Sequence, residues 1–179
     1  VDPASSKRKG SSRSAIVVVG IERGGTRKFL ILASAKRLNP AELFTEIKYV
    51  NKVYRPRRIS IEEVGYQSSL RYFLEADRLR SKEYISVVGV PAKGDKNDRI
   101  RQNVGAIASS GEFYVMSTQN DFLEEYRKFP MYDLKDLLDA LAQGPRVWDL
   151  PQFDDIDTES DEADEAFATH SSRSAVTGY

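Results

Sequence analysis

The stretch from Ser14 to Glu22 (SAIVVVGIE) limits the fold more than any other part of this chain. It is a continuous β-branched run, the mark of a largely buried strand. Arg23-Gly24-Gly25-Thr26 is a turn signal, and a second strand-forming stretch runs from Lys28 to about Lys36. A connection that short makes the pair an antiparallel hairpin.

Helical and extended patterns then alternate. Asn39-Pro40 has the form of a helix start, with Asn as N-cap, Pro at the first helical position and Glu42 in the first turn. Leu43, Ile47 and Val50 recur at helical spacing, so this helix reaches about Tyr54. A strand is predicted from Arg58 to Glu62, with a turn at Gly65. An amphipathic helix follows from Gln67 to about Lys82, outlined by Leu70, Phe73, Leu74 and Leu79. Further on come a strand from Tyr84 to Val90, a helix from Asn97 to Ser109 and a short strand from Glu112 to Met116. Two last helices, Asp121 to Phe129 and Leu134 to Gln143, are separated by Pro130. This order predicts an α/β fold with a mixed sheet flanked by helices on both faces. Past Gly144-Pro145 the periodicity stops. The reading is one domain over residues 1–148 and an acidic, Ser/Thr-rich, disordered tail over 149–179.

Composition narrows the chemistry. The chain has no cysteine, which excludes disulfides and thiolate zinc sites. Its single histidine, His170, lies in the tail, which argues against histidine triads and histidine-ligated metals. No apolar run approaches the roughly 18 residues needed to span a bilayer, and the expectation is a soluble intracellular protein. The net charge of zero hides an asymmetry. Of 27 acids and 27 bases, eight acids and one base, Arg173, lie beyond Gln152. That leaves 26 bases against 19 acids over residues 1–152, an excess of 7. A basic body suits a phosphate backbone as partner.

Within that body, acids stand where sheet strands and a late helix end or begin. Asp2 is in Val1-Asp2-Pro3-Ala4, Glu62 in Ile59-Ser60-Ile61-Glu62-Glu63, and Asp136 and Asp139 share a helix face three residues apart. Taken singly, Asp2 is a turn residue, Glu62 and Glu63 are surface residues, and the helical acids form a solvated face, with Asp133 a candidate N-cap. Taken together they change meaning. Carboxylates beside apolar strands resist burial unless positive charge offsets them, and the usual offset is a hard divalent cation bound through oxygen. Two basic stretches accompany them: Lys7-Arg8-Lys9 near Asp2, and Lys93 to Arg101 running into a helix. Lys7, Arg8, Lys9, Lys93, Lys96 and Arg99 are the candidate DNA-contacting residues, against the plainer reading of solvated loops. Gly20 to Gly25 lacks the Gly-Lys-Ser/Thr of a nucleotide-binding loop and reads as the hairpin.

Five pieces in order carry a resemblance: Asp2-Pro3-Ala4; the Ser14-to-Glu22 strand; Ile61-Glu62-Glu63-Val64-Gly65-Tyr66-Gln67; Gly94-Asp95-Lys96-Asn97-Asp98-Arg99-Ile100; and Phe129-Pro130 with Lys135-Asp136-Leu137-Leu138-Asp139-Ala140-Leu141-Ala142. Over about residues 1–143 the chain resembles the C-terminal nuclease domain of tailed-bacteriophage terminase large subunits. That resemblance implies a ribonuclease H-like fold and an endonuclease cutting double-stranded DNA concatemers during genome packaging. It also implies two divalent ions, Mg²⁺ or Mn²⁺, at catalytic and metal positions Asp2, Glu62 and either Asp136 or Asp139, with Asp2 as the bridge. The implied partners are double-stranded DNA, the terminase ATPase domain of the full-length chain, the portal and the small terminase subunit. The implied setting is the cytoplasm of an infected bacterial host, with the isolated domain a monomer. The opening at Val1 reads as a strand trimmed of its earlier residues. The family pattern often has an Asp where Arg13 stands and His-Asp-Asp where Leu134-Lys135-Asp136 stand, departures that bear on auxiliary ligands. The alternatives are another ribonuclease H-like nuclease of the junction-resolvase type, and a non-catalytic DNA-binding or motor-assembly module.

Overall fold

The structure is a computed structural model that describes residues 1–4, 13–63, 72–74, 76–77, 86–91 and 94–148. Strands β1 (Ser14–Ile21) and β2 (Lys28–Lys36) form the expected antiparallel hairpin, with a bulge between Val18 and Val19. Strand β3 (Ile59–Glu63) pairs in parallel with β4 (Val87–Pro91), and β5 (Phe113–Val115) lies parallel to β2.

These two ladders are joined through two residues. Asp2 exchanges both backbone hydrogen bonds with Ala15 of β1, at 2.9 and 2.8 Å. On its other side the Val1 nitrogen donates to the Ser60 carbonyl at 2.7 Å, and the Glu62 N–H donates to the Val1 carbonyl at 3.2 Å. That is the slanted pattern of a parallel ladder. The strand order is therefore β4-β3-(Val1-Asp2)-β1-β2-β5, a mixed sheet with Asp2 and Glu62 on neighbouring strands.

Helices cover both faces. Alternate residues of β1 point to opposite sides, which is why the whole run is apolar. Ala15 and Val17 join one core with Ile100, Val104, Phe122, Leu137, Leu138 and Leu141. Ile16 and Val18 join the other with Leu43, Ile47, Val50, Ile59 and Ile61. The second core is the buried stripe of α1 (Pro40–Tyr54), whose start has the expected cap. Asn39 accepts from the Glu42 N–H at 2.9 Å, and Glu42 accepts from the Asn39 N–H at 2.7 Å. The first core is supplied by α2 (Lys96–Ser109), α3 (Asn120–Lys128) and α4 (Asp136–Ala142).

Two readings of the chain's end change. Helix α4 begins at Asp136 rather than Leu134, and Asp133 is not its cap. A short helix α5 (Pro145–Trp148) follows where no periodicity was visible, because four residues are too few to display one. The predicted helix around Gln67–Lys82 lies mostly outside the described residues, and within it residues 72–74 and 76–77 are helical. The tail over 149–179 lies outside the described residues. Among the described residues no helix is long and apolar enough to cross a membrane.

Candidate metal centre

Three of the four candidate acids meet. Carboxylate oxygens of Asp2, Glu62 and Asp139 lie within 4.8 Å of one another, on residues only 7, 7 and 2 % exposed. Adjacent strands deliver the first two. Helix α4 delivers the third, seated over the sheet by the wholly buried Leu137, Leu138 and Leu141. Asp136 is one turn from Asp139 but stands at the rim, with its side chain 21 % exposed.

The alignment of α4 depends on a residue that the sequence analysis passed over. Helix α4 has no side-chain cap of its own. Instead the Glu125 carboxylate, reaching across from α3, accepts from the Leu137 N–H at 2.9 Å and the Leu138 N–H at 3.3 Å. Its other oxygen accepts from Arg13 at 2.7 Å, and Arg13 also donates to Asp136 at 3.2 Å. A carboxylate on the first amides of a helix satisfies donors that the helix cannot and complements its dipole. Glu125 is 2 % exposed. Burial pushes its pKa up, opposed by the Leu138 amide and by Arg13. The only trace of this role in sequence is an acid on the apolar side of α3, three residues beyond Phe122. Arg13 thus ties Glu125 and Asp136 together at the rim of the cluster.

Two bases fill the interior of the cluster. Lys96 and Arg99 are three apart on α2 and so share a face, which meets the Asp136/Asp139 face of α4. The Lys96 ammonium lies 3.6 Å from Asp2, 3.1 Å from Asp136 and 3.2 Å from Asp139. Arg99 donates from Nε and Nη2 to the two oxygens of Asp139, both at 2.8 Å, and its Nη2 lies 3.3 Å from Glu62. Arg99 is buried at 8 % exposure, whereas the Lys96 side chain keeps 34 % open to solvent. The first amides of α2 are taken by its own N-cap, since the Asp95 side chain accepts from Asn97 and Asp98. The candidate DNA-contacting residues Lys7, Arg8, Lys9 and Lys93 lie outside the described residues.

Crowding shows in the electrostatics. Burial pushes Asp2 up to about 8; the Lys96 charge opposes this, while the charges of Asp139 and Glu62 and a hydrogen bond with Glu62 add to it. Burial acts to lower Lys96, but Asp2, Asp139 and Asp136 together outweigh it and raise it. The sign of the stability effect follows. An aspartate in an unfolded chain titrates near 3.9. Between about pH 4 and 8 the folded chain therefore binds a proton that the unfolded chain releases, so stability falls as pH rises through that window. The buried Val1 amine, lowered to about 6 by burial, acts with the opposite sign, so the share of Asp2 is read by difference: in chelator, raising the pH from 5.5 to 8.5 should lower the melting temperature of the wild type relative to that of Asp2→Asn. An equal slope in the two proteins would show that Asp2 keeps an ordinary affinity for its proton.

Buried oxygens from three elements, with no nitrogen or sulfur donor among them, fit a hard divalent cation such as Mg²⁺ or Mn²⁺. A mixed sheet covered on both faces, with acids converging above its central strands, defines a ribonuclease H-like domain. The chain belongs to the terminase RNaseH-like domain family, which matches residues 1–150. A similar solved structure is the crystal structure of fowlpox virus resolvase with its substrate Holliday junction DNA. The two are 17% identical with a TM-score of 0.50, over 75% of this chain and 90% of that one. At that identity the likeness is one of fold. No curated protein sequence matches the chain.

Proposed function

We propose that this domain is a divalent-metal-dependent endonuclease that cuts double-stranded DNA with little sequence preference during viral genome packaging. One observation carries the reading: the buried carboxylates of Asp2, Glu62 and Asp139 converge within 4.8 Å. The family match over residues 1–150 supports the packaging setting. In that setting the partners are the ATPase domain, the portal and the small subunit, in an infected bacterial cytoplasm. Asp2, Glu62 and Asp139 hold the cation or cations, with Asp136 beside them. Such ions, when bound, activate water and stabilise charge on a phosphate undergoing displacement.

The remaining work belongs to the chain. Lys96, about a third open to solvent above the acids, meets a phosphate oxygen of the bound strand. Arg99 holds Asp139 and Glu62 in position from beneath. Lys7, Arg8, Lys9 and Lys93 are further candidates for contact with the backbone, on their charge alone. Contacts of this kind fix register without reading bases, hence the weak sequence preference.

A second reading, junction resolution, is favoured by the likeness to the fowlpox virus resolvase. One assay separates the two. The chain is incubated with linear duplex, plasmid and a four-way junction of matched sequence, with Mn²⁺ or with chelator. The expected outcome is cleavage of duplex and plasmid that chelator abolishes, with no more than a few-fold preference for the junction. Cleavage confined to the junction would replace the packaging reading. Cleavage of nothing, by a folded protein with Mn²⁺, would remove both.

A further inference from the structure

The cations already built into the centre limit how many ions it accepts. The deepest lies between two of the three converging acids. Arg99 donates to both oxygens of Asp139 and lies 3.3 Å from Glu62, at 8 % exposure. Lys96 spans Asp2, Asp136 and Asp139. Arg13 spans Glu125 and Asp136. Among the described residues, with every carboxylate ionised, as metal ligation requires, the connected side chains Asp2, Glu62, Glu125, Asp136 and Asp139 carry five negative charges. Lys96, Arg99 and Arg13 carry three positive ones, which leaves a residue of two negative charges.

One divalent ion cancels that residue. A second would leave two positive charges in a largely buried site, where unbalanced charge is costly because the surroundings screen it poorly. Arg99 cannot relieve the excess, since a guanidinium keeps its proton in proteins. The excess is relieved only when new negative charge enters, and a DNA phosphate brings it.

Resting on the nuclease reading above, we propose that Arg99 acts as a built-in counter-charge that restricts the DNA-free centre to one divalent cation, a second entering only with the phosphate backbone. This differs from the two-ion centre that the family resemblance implies for the domain as such. It also gives Arg99 a task other than touching DNA: it positions Asp139 and Glu62 and sets the cation count.

The test counts ions rather than turnover. Mn²⁺ bound to the whole chain is measured by electron paramagnetic resonance of free Mn²⁺. Ions that persist in the Asp2→Asn/Asp139→Asn double variant are subtracted, which removes binding by the acidic tail. The expected count is one per chain without DNA and two with a non-cleavable phosphorothioate duplex. Arg99→Gln keeps a hydrogen-bond donor but loses the charge, and should bind two without DNA. Arg99→Lys keeps the charge and should bind one. Two ions on the DNA-free wild type, or one on a folded Arg99→Gln, overturns the proposal and leaves the nuclease reading intact. If Arg99→Gln does not fold, the wild-type counts with and without DNA decide. No ion above the double-variant background, with or without DNA, defeats the nuclease reading itself.

Discussion

Asp139→Asn is expected to reduce Mn²⁺-dependent plasmid cleavage by at least about 10³-fold, whereas Asp136→Asn should cost about tenfold or less. The expectation comes from where the two carboxylates stand. Asp139 is 2 % exposed and has an oxygen within 4.8 Å of oxygens from Asp2 and Glu62. On the proposed function, removing its charge weakens the hold on a cation whose charge stabilisation amounts to several kcal/mol, and each ~1.4 kcal/mol is a factor of ten in rate. Asp136 is spent on Arg13 and on Lys96, at 3.2 and 3.1 Å. Its loss loosens Lys96 and leaves the converging three in place. Asp139→Asn also replaces the charged acceptor of two Arg99 hydrogen bonds by a neutral one, with Glu62 still 3.3 Å from the guanidinium, and weakening a buried ion pair costs stability. Thermal unfolding of each variant must therefore accompany the rates, so that inactivity is not confused with unfolding. Equal losses in the two folded variants would place both carboxylates on the cation and undo the distinction.

Glu125→Ala carries the largest expected effect on stability, a loss of about 3 kcal/mol. Two amide donors at the start of α4, on Leu137 and Leu138, lose their acceptor, and an orphaned buried donor costs about 1–3 kcal/mol. Arg13 loses its 2.7 Å partner in the same step. Glu125→Gln keeps an oxygen for the amides and removes the charge facing Arg13, so about 1 kcal/mol is expected. Urea unfolding reads both, provided the slope with denaturant is unchanged, so that a shifted midpoint reports stability. Cleavage should fall with stability in the alanine variant, because the seat of α4 sets where Asp139 points. A midpoint unmoved by Glu125→Ala would mean that α4 is held by its apolar face alone.

Local patterns foretold local structure. The β-branched run with its Gly-Gly turn became β1 and β2, and Asn39-Pro40 with Glu42 became a capping box at the start of α1. Both depend on neighbours a few residues apart. Asp2 and Glu62 were identifiable as candidates because acids beside apolar strands stand out. The choice between Asp136 and Asp139 was not visible, since residues three apart share a face and spacing says nothing of which lies deeper. Lys96 and Arg99 were read as phosphate contacts from their charge, which invites an anion. Spacing did not show that both also meet carboxylates, of Asp139 about forty positions along the chain and of Asp2 and Glu62 before them. Glu125 was passed over altogether, because its ligands are main-chain amides, which carry no signature in a sequence.

What the amino-acid order determined by itself was the run of strands and helices, the oxygen-only donor set and the basic body, since each follows from side chains acting with near neighbours. Tertiary structure decided which acids meet, which bases neutralise them and what starts α4. Those outcomes depend on how α2, α3 and α4 seat against the sheet, where burial makes a charge costly unless its partner comes from a distant part of the chain.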